Sequence, residues 1–310
     1  MAGPEELNPI LKSLWPNTDF ETHAVDYAEI QLGCFTGKDC IRSIDDPVFA
    51  SVIAVDHLVD REPVIGFNID EDYRAYPLRM LMRHEIVNDV VGGVPVAVTF
   101  CPLCNTAVVY DRRVEGQVLE FGVSGMLRNS DLVMYDRQTE SWWQQFVGEA
   151  IVGTMTGTRL EAIPARLESF AKFRERAPLG QVLVPPSSLD PGYDSNPYVG
   201  YDSRSEPYGF FTGPYPEAVA ALERLVTVGE EAWSLSLVRR EKTIVAGDLV
   251  ITWEPGQASA LDTPVIAEGI DVGNVLVQRQ TDGGLEDVVY GVDFAFAFHA
   301  FHPDAVIHTD

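Results

Sequence analysis

The feature that most constrains this chain is a Cys-Pro-Leu-Cys turn, residues 101–104, set between two apolar segments. Residues 96–100 lead into the turn, and residues 107–110, which are rich in β-branched and aromatic side chains, leave it. This composition favours strands over helices, so we expect the turn to join two strands. In thiol oxidoreductases the cysteine pair instead begins a helix, whose N-terminus lowers the thiol pKa. The pattern is therefore more typical of a metal knuckle than of a redox motif.

The residues around the two cysteines suit a tight turn. Pro102 fixes one backbone dihedral angle, and Asn105 tolerates the left-handed conformation that would direct both sulfurs to one point. Metal knuckles usually occur in pairs that together supply four ligands. This chain has no second Cys-x-x-Cys. A metal site here therefore takes further ligands from elsewhere in the chain, or it keeps an open position.

His84 is the first candidate for a third ligand. It precedes a hairpin turn at Gly92 and Gly93, and the strand after that turn ends at Cys101. An antiparallel return would place His84 beside Cys101. The alternative is a buried histidine bonded to a backbone carbonyl. Two thiolates and an imidazole suit Cu(I) or Zn(II) and poorly suit magnesium or calcium, so the predicted cofactor is a copper or zinc ion.

Three residues further along the chain are candidate ligands or positioning residues. Met134 offers a thioether, although methionine within a strand is more often part of a core. Asp131 and Arg137 belong to a dense polar cluster, residues 129–140, and are expected either to orient the ligands or to bind a small polar molecule. The alternative is a pair of tight turns with an internal ion pair.

The two remaining cysteines, Cys34 and Cys40, lie close together in a glycine-containing loop. A disulfide between them would indicate an oxidising compartment. They could also stay free or reach Cys101 and Cys104, but the spacing matches no common metal motif. We expect them to pair with each other or to remain free, outside the main site.

Composition excludes several classes of partner. The chain has 310 residues, 46% of them hydrophobic, and a net charge of −25. Such an acidic protein is not expected to bind nucleic acid or an anionic membrane surface. No apolar run approaches the length of a membrane span, and the first eight residues show no signal peptide. These features predict a cytoplasmic protein, or an exported one if a leader was removed, and they leave its small-molecule or protein partner unknown.

Apolar runs and turn residues predict a chain with many strands. Strands are expected at residues 63–69, 96–100, 118–123, 132–135, 142–146 and 181–184, and a helix at 165–177. Proline, glycine and tyrosine are frequent between residues 186 and 217. This segment is too rich in tyrosine for a free linker, so we expect an ordered loop that lies against the protein.

The second half of the chain contains five ordered echoes of the first. Residues 75–78, 96–100, 101–107, 137–139 and 173–178 have counterparts at 232–235, 249–253, 254–260, 279–281 and 298–303. We therefore expect a β-rich α+β protein made of two related, duplicated units with short helices. The predicted division is an N-terminal wrapping segment, 1–60, a first repeat with the knuckle, 61–185, a connecting loop, 186–217, and a degenerate second repeat, 218–310.

Six short motifs extend from the first predicted strand into the polar cluster. They are Val-Ile-Gly at 64–66, Arg-Ala-Tyr-Pro-Leu at 74–78, His-Glu-Ile-Val-Asn-Asp at 84–89, Cys-Pro-Leu-Cys at 101–104, Asn-Ser-Asp at 129–131 and Met-Tyr-Asp-Arg-Gln-Thr-Glu-Ser at 134–141. Together they resemble a bacterial and archaeal family called domain of unknown function 3179. The resemblance is close over residues 38–185 and looser elsewhere. It implies no reaction, because none is established for the family, and many members look exported.

Three functional classes remain open. The first is a soft-metal protein that holds copper or zinc with Cys101, Cys104 and His84, and an enzyme would belong here if the coordination site is open. The second is a thiol–disulfide redox protein that uses Cys101 and Cys104. The third is a binding or scaffold module in which the knuckle only stabilises a turn. No nucleophile elbow, phosphate loop or dinucleotide fingerprint is present in the sequence.

Overall fold

Five β-sheets dominate the computed structural model, which describes residues 9–34, 36–185, 193 and 195–309. Each sheet has four or five strands, and a two-stranded ribbon completes the described β-structure. The sheets are arranged as the blades of a five-bladed β-propeller, and helix makes up 16% of the chain. Residues 1–8, to which the signal-peptide expectation refers, and residues 186–192 and 194 of the predicted connecting loop lie outside the described part.

The strands are numbered in chain order. The first twelve are β1 Ile30–Leu32, β2 Val48–Ser51, β3 Pro63–Ile69, β4 Asp72–Pro77, β5 Ile86–Val91, β6 Val94–Cys101, β7 Thr106–Asp111, β8 Arg113–Val114, β9 Gln117–Val118, β10 Phe121–Arg128, β11 Asp131–Asp136 and β12 Trp142–Gln144. The next twelve are β13 Glu149–Val152, β14 Ala162–Ile163, β15 Arg166–Ser169, β16 Gln181–Val184, β17 Arg224–Val228, β18 Glu231–Ser234, β19 Thr243–Ala246, β20 Leu249–Glu254, β21 Asn274–Thr281, β22 Gly284–Asp287, β23 Gly291–Phe294 and β24 Val306–His308.

The helices are short and follow strands. They are α1 Pro9–Leu14, α2 Leu78–His84, α3 Phe170–Arg176, α4 Leu235–Glu241 and α5 Ala295–Phe301. Ser169 caps α3 by accepting a hydrogen bond from Lys172 N, and Ser234 caps α4 in the same way through Leu237 N. None of the described helices has the length and apolar character that a bilayer crossing requires.

Strand order defines five sheets. Sheet I is β15-β3-β4-β16-β2, sheet II is β14-β7-β6-β5, sheet III is β1-β10-β11-β12-β13, sheet IV is β23-β17-β18-β24, and sheet V is β19-β20-β21-β22. Pairing is antiparallel except for β4 with β16 and β18 with β24. Two strands from the predicted N-terminal segment, β1 and β2, complete the edges of sheets III and I. The predicted domain boundaries themselves stay a prediction.

Two tight hairpins set the register of sheets II and III. Between β5 and β6, Gly92 and Gly93 have φ angles of 54° and 80°, and Val91 pairs with Val94. Between β10 and β11, Asn129 and Ser130 have φ angles of 53° and 64°. Positive φ at both central residues is the mark of a two-residue turn whose twist matches the flanking strands. The second turn makes Asp131 the first residue of β11.

One hydrophobic core joins all five sheets. It contains Ile65 from sheet I, Val98 from sheet II, Trp143 from sheet III, Val226 from sheet IV and Val277 from sheet V, each at most 1% exposed. Cys101 and Cys104 belong to this same core and are 1% and 0% exposed. The knuckle therefore lies inside the protein, where the sheets meet.

The expectation of two duplicated units is wrong, although the β-rich character is confirmed. Residues 61–185 contribute to three sheets, whereas residues 218–310 form two. The counterpart of the knuckle differs most: β6 and β7 are joined by four residues, but the chain after Glu254 re-enters a sheet only at Asn274. The echoes at 75–78 and 232–235 mark the start of α2 and α4, so they report similar strand-to-helix junctions in sheets I and IV.

Arg112 links sheet II to the segment before β10 through backbone carbonyls. Its guanidinium donates to Val96 O at 3.0 Å, Leu119 O at 2.7 Å and Asp89 O at 2.9 Å. The residue is 8% exposed, and burial lowers the pKa of its guanidinium. Its neighbour Arg113 points outward and pairs with Asp111.

We expect Arg112→Met to lower the free energy of unfolding by about 3 kcal/mol, because it removes three hydrogen bonds that a buried guanidinium donates. Arg113→Met is the matched control, and it should leave stability nearly unchanged because its ion pair lies at the surface. Urea unfolding followed by circular dichroism measures both. Equal midpoints for the two variants would contradict a structural role for Arg112.

Candidate functional site

The cysteines occupy a turn between two paired strands, as the sequence predicted. Strand β6 ends at Cys101, β7 begins at Thr106, and these two residues pair across the hairpin. Within the turn, Cys104 N donates to Cys101 O at 3.2 Å, and Asn105 has a φ of 54°. Asn105 thus adopts the left-handed conformation that asparagine tolerates better than most residues.

Sheet IV and a tyrosine fix this turn from outside. Asn105 Nδ2 donates to Val292 O at 2.6 Å, and Phe294 N donates to Cys104 O at 2.8 Å. Tyr201, which is fully buried, donates its hydroxyl to Leu103 O at 2.9 Å. Two outside donors therefore satisfy backbone carbonyls of the buried turn, and the Asn105 side chain ties the turn to sheet IV, which leaves both thiol groups available for other partners.

The second hairpin turn brings a carboxylate to the thiols. The Cys104 thiol donates to Ser130 O at 3.5 Å, and the Cys101 thiol lies 3.8 Å from the same oxygen. The next residue is Asp131, and one of its carboxylate oxygens and both sulfurs all lie within 4.8 Å of one another. All three side chains are buried. We call Cys101, Cys104 and Asp131 the knuckle cluster.

Asp131 has one satisfied and one unsatisfied oxygen. Its Oδ2 accepts from Gln144 Nε2 at 2.6 Å and from Phe146 N at 2.9 Å. Its Oδ1 is buried and has no hydrogen-bond partner among the described residues. A buried acceptor without a partner costs free energy, so this oxygen suits a cation or a donor that arrives from outside the chain.

Burial determines the electrostatics of the cluster. Desolvation raises the pKa of the Cys101 thiol, and it raises the pKa of Cys104 still further, with the neighbouring Cys101 adding to the effect. Desolvation also raises the pKa of Asp131. The neutral forms are favoured in each case because the interior solvates charge poorly. A bound cation would reverse this preference by compensating the negative charges.

The structure does not bring His84 to the cysteines. Its two ring nitrogens lie 2.6 Å from Arg42 O and 2.6 Å from the Tyr193 hydroxyl. If the hairpin register continued beyond the pair Ile86–Thr99, residue 84 would lie opposite Cys101. Strand β5 begins only at Ile86, so this pair does not form. His84 is the last residue of α2, and Glu85, with a φ of 58°, turns the chain from that helix into β5.

Glu85 is the residue that this turn brings near the cluster instead. Its carbonyl accepts a hydrogen bond from Phe100 N, the residue before Cys101. Its side chain is 8% exposed, and burial followed by the nearby Asp131 raises its pKa. Glu85 also contributes to the raised pKa of Tyr198, so the phenol belongs to the same neighbourhood. A helix that ends directly before a strand is the sequence signal for such a turn, and it favours a positive φ at the junction.

The other candidate residues lie outside the cluster. Met134 is fully buried within β11 and pairs with Trp143, as a core residue does. Arg137 lies near the surface, where it bonds to Asp45 at 2.8 Å and Glu120 at 2.6 Å. Of the polar segment, the structure brings the carbonyl of Ser130 and the carboxylate of Asp131 to the sulfurs.

The remaining cysteines are bonded to each other. Cys34 and Cys40 form a disulfide, separate from the free thiols of Cys101 and Cys104. The two lie near Gly125, whose φ of 78° requires a residue without a side chain. Gly33 N and Cys34 N both donate to Gly125 O, and these bonds hold the start of the loop against strand β10.

Comparison with family models decides the relationship. The model described as protein of unknown function (DUF3179) matches residues 38–305. The chain belongs to the DUF3179 family. Comparison with curated proteins gave no match, and comparison with solved structures gave none either.

The DUF3179 match covers much more than the motif-rich first half. Its range includes every strand from β2 to β23, together with Glu85, both knuckle cysteines and Asp131. Cys34 lies before its start and Cys40 within it. The family description assigns no reaction, so chemistry at this DUF3179 site has to be argued from the geometry alone.

We expect both knuckle thiols to resist alkylation in the folded protein. Raised thiol pKa values lower the thiolate fraction at pH 7, and burial blocks the reagent as well. Labelling by iodoacetamide, read by mass spectrometry, should be at least about a hundredfold slower than in the unfolded chain. Unfolding in guanidinium without reductant is the control, and it should label Cys101 and Cys104 but not the disulfide pair. Rapid labelling of either thiol at pH 7 would contradict this description.

Proposed function

We propose that this protein binds a single thiophilic divalent cation of the zinc type through Cys101, Cys104 and Asp131. The observation that carries the proposal is the buried Oδ1 of Asp131, which lacks a hydrogen-bond partner among the described residues and belongs to a carboxylate beside two thiols. Donor atoms on a tetrahedral ion lie about 3.5 Å apart, so ligand atoms within 4.8 Å of one another need only a small closure.

The mixed donor set favours zinc over copper. Zinc is a borderline ion that accepts thiolate sulfur and carboxylate oxygen in one site. Cu(I) is softer and prefers sulfur and imidazole nitrogen, and the nitrogens of His84 are bonded elsewhere. Replacing the expected imidazole by a carboxylate therefore shifts the preferred ion from copper to zinc.

Burial argues against a redox function for the cysteine pair. A reactive Cys-x-x-Cys presents at least one accessible thiol of lowered pKa, often at a helix N-terminus. Here both thiols are buried, both pKa values are raised, and the pair lies between two strands. The turn itself is stabilised by backbone hydrogen bonds from Phe294 and Tyr201, so it needs neither thiols nor a disulfide to form.

Three protein ligands leave room for a fourth. Structural zinc sites are usually closed by four side chains, whereas catalytic ones use three and keep a position for water or substrate. A metal held by the knuckle cluster would thus have one open position, and the ion would supply Lewis-acid chemistry there. The role of the protein is to hold the three donors and to keep bulk water away from them.

We expect purified protein to bind one equivalent of Zn²⁺, measured by isothermal titration calorimetry and element analysis. The Cys101→Ser, Cys104→Ser double variant should lose this binding, and Asp131→Asn should weaken it by about tenfold to a hundredfold, because one charged ligand becomes neutral. His84→Ala is the matched control and should bind as tightly as the wild type. Titration with Cu(I) under anaerobic conditions measures whether the site binds copper more tightly than zinc.

Two results would overturn the proposal. One is full zinc retention by the double cysteine variant, since the ion would then lie elsewhere. The other is an absence of zinc binding by a folded wild-type protein at pH 8. If His84→Ala lost as much zinc affinity as Asp131→Asn, the proposed ligand set would be wrong, although zinc binding itself would stand.

Zinc affinity should fall as the pH falls. The ligands bind zinc as thiolates and carboxylate, but their raised pKa values in the metal-free protein mean that protons compete with the metal. Titrations at pH 6, 7 and 8 should show affinity rising with pH, with protons released on binding. Affinity that is independent of pH would contradict ligation by both thiols.

A further inference from the structure

A second feature of the centre is an apolar cavity beside the knuckle cluster. Its volume is about 230 Å³, which suits a small organic molecule. Leu103, from the cysteine turn, and Leu132, directly after Asp131, form part of its wall. Tyr198, Tyr208 and Phe210 close it from the side of the tyrosine-rich loop. The cavity is thus built by three distant parts of the chain.

Among the described residues that line this cavity, Glu85 is the one charged residue, and no lysine, arginine or histidine lines it with Glu85. Glu85 is 8% exposed, and burial, followed by the nearby Asp131, raises the pKa of its carboxyl. Buried carboxylates are normally paired with a cation or fully hydrogen-bonded. Here the lining residues supply neither a cationic partner nor a second carboxylate that could share a hydrogen bond across the cavity.

Glu85 reaches the cavity through a turn from helix to strand. Its φ of 58° recurs at Lys242, which has a φ of 64° directly after α4, so the turn is a property of this kind of junction. The turn directs the chain so that a glutamate rather than the preceding His84 lines the cavity.

We propose that this cavity binds a small primary amine in its protonated form, with the ammonium group on Glu85 and an apolar body against the leucine and aromatic walls. The ammonium would supply the cation that the cavity wall lacks. The net charge of −25 raises the local concentration of cations around the protein and favours their approach. The inference goes beyond metal binding and does not depend on it.

The test uses benzylammonium as the probe, with benzyl alcohol and benzoate as neutral and anionic molecules of similar shape. Isothermal titration calorimetry is done at pH 7 on the full chain with a chelator present, so that no metal contributes. Wild-type protein should bind benzylammonium at least about tenfold more tightly than benzyl alcohol, because a hydrogen bond between charged groups is worth about that factor. Benzoate should not bind.

Variants separate the carboxylate from the cavity. Glu85→Gln should lose about tenfold or more in affinity for benzylammonium and keep that for benzyl alcohol. Ile41→Trp, which fills the cavity from a partly exposed position and leaves Glu85 intact, should weaken both. Glu168→Gln is the matched control, since Glu168 is 4% exposed but does not line the cavity, and this variant should bind both molecules like the wild type.

Several outcomes would overturn the proposal. One is binding of benzylammonium to the folded wild type that does not saturate at millimolar concentration. Another is a wild-type affinity for benzyl alcohol equal to that for benzylammonium. A third is an affinity of Glu85→Gln for benzylammonium equal to that of the wild type. Should Glu85→Gln fail to fold, unchanged binding in Ile41→Trp would overturn it instead. The Cys101→Ser, Cys104→Ser double variant should bind benzylammonium like the wild type, so a failure of the metal proposal is distinguishable from a failure of this one.

Discussion

The structure depends on the way the buried cysteine turn is held. Val292 O, Phe294 N and the Tyr201 hydroxyl each bond to one residue between Leu103 and Asn105, and each belongs to a part of the chain remote from the turn. A turn inside a core has polar backbone groups that cannot reach water, so these bonds are a condition of burying it. They also connect sheet II to sheet IV and to the tyrosine-rich loop. The same contacts that close the centre of the fold thus orient the two thiols.

Burial gives the centre its chemical character. The thiols of Cys101 and Cys104 and the carboxyls of Glu85 and Asp131 all have pKa values raised mainly by desolvation. A carboxyl with a pKa above its unfolded value favours folding below that unfolded pKa, and the advantage is lost as the pH rises through the folded pKa. Without a metal, the contribution of these four groups to the free energy of folding therefore becomes less favourable as the pH rises toward and above neutrality. A bound cation would offset this cost, because it stabilises the deprotonated forms in the folded state alone.

Local sequence patterns predicted much of the architecture, and long-range pairing explains what they missed. The strand bounds 63–69 and 181–184 match β3 and β16, since alternating apolar residues and flanking turns are local signals. The hairpin turn at Gly92 and Gly93 is local as well, and it pairs Val91 with Val94 and Ile86 with Thr99. The register could not show where β5 begins. The strand starts at Ile86, directly after the turn at Glu85, so residue 84 belongs to helix α2 and does not continue the strand toward Cys101.

Asp131 and the number of sheets illustrate the same limit. The Asn129–Ser130 turn is readable from sequence, but its arrival at the cysteine turn depends on how sheets II and III pack, which no local pattern encodes. Likewise, the echo between residues 101–107 and 254–260 suggested a second knuckle, whereas the chain there enters a long loop before Asn274. Similar residues at the ends of two strands do not determine the length or path of the loop that follows each strand. Counting sheets required knowing which strands pair.

The distribution of charge partners gives the strongest reason to place a cation at the centre. Most buried carboxylates of the described chain have a cationic partner, as in the pairs Glu62–Arg79, Asp89–Arg74, Glu140–Lys38, Glu168–Arg176 and Asp202–Arg224. Asp136 lacks one, but it accepts hydrogen bonds from Thr139 and Trp143 instead.

Glu85, Asp131 and Asp293 are the exceptions around the cysteine turn, because no cationic side chain among the described residues pairs with them. One oxygen of Asp131 and one of Asp293 also accept no hydrogen bond. Apart from Asp136, the described buried acids that have no cationic partner are therefore the three around the cysteine turn, where two thiols converge. Scaffolding the turn would not require acids at these positions, since apolar side chains would bury at lower cost. Acids kept without partners beside paired thiols are what a site for an incoming cation requires.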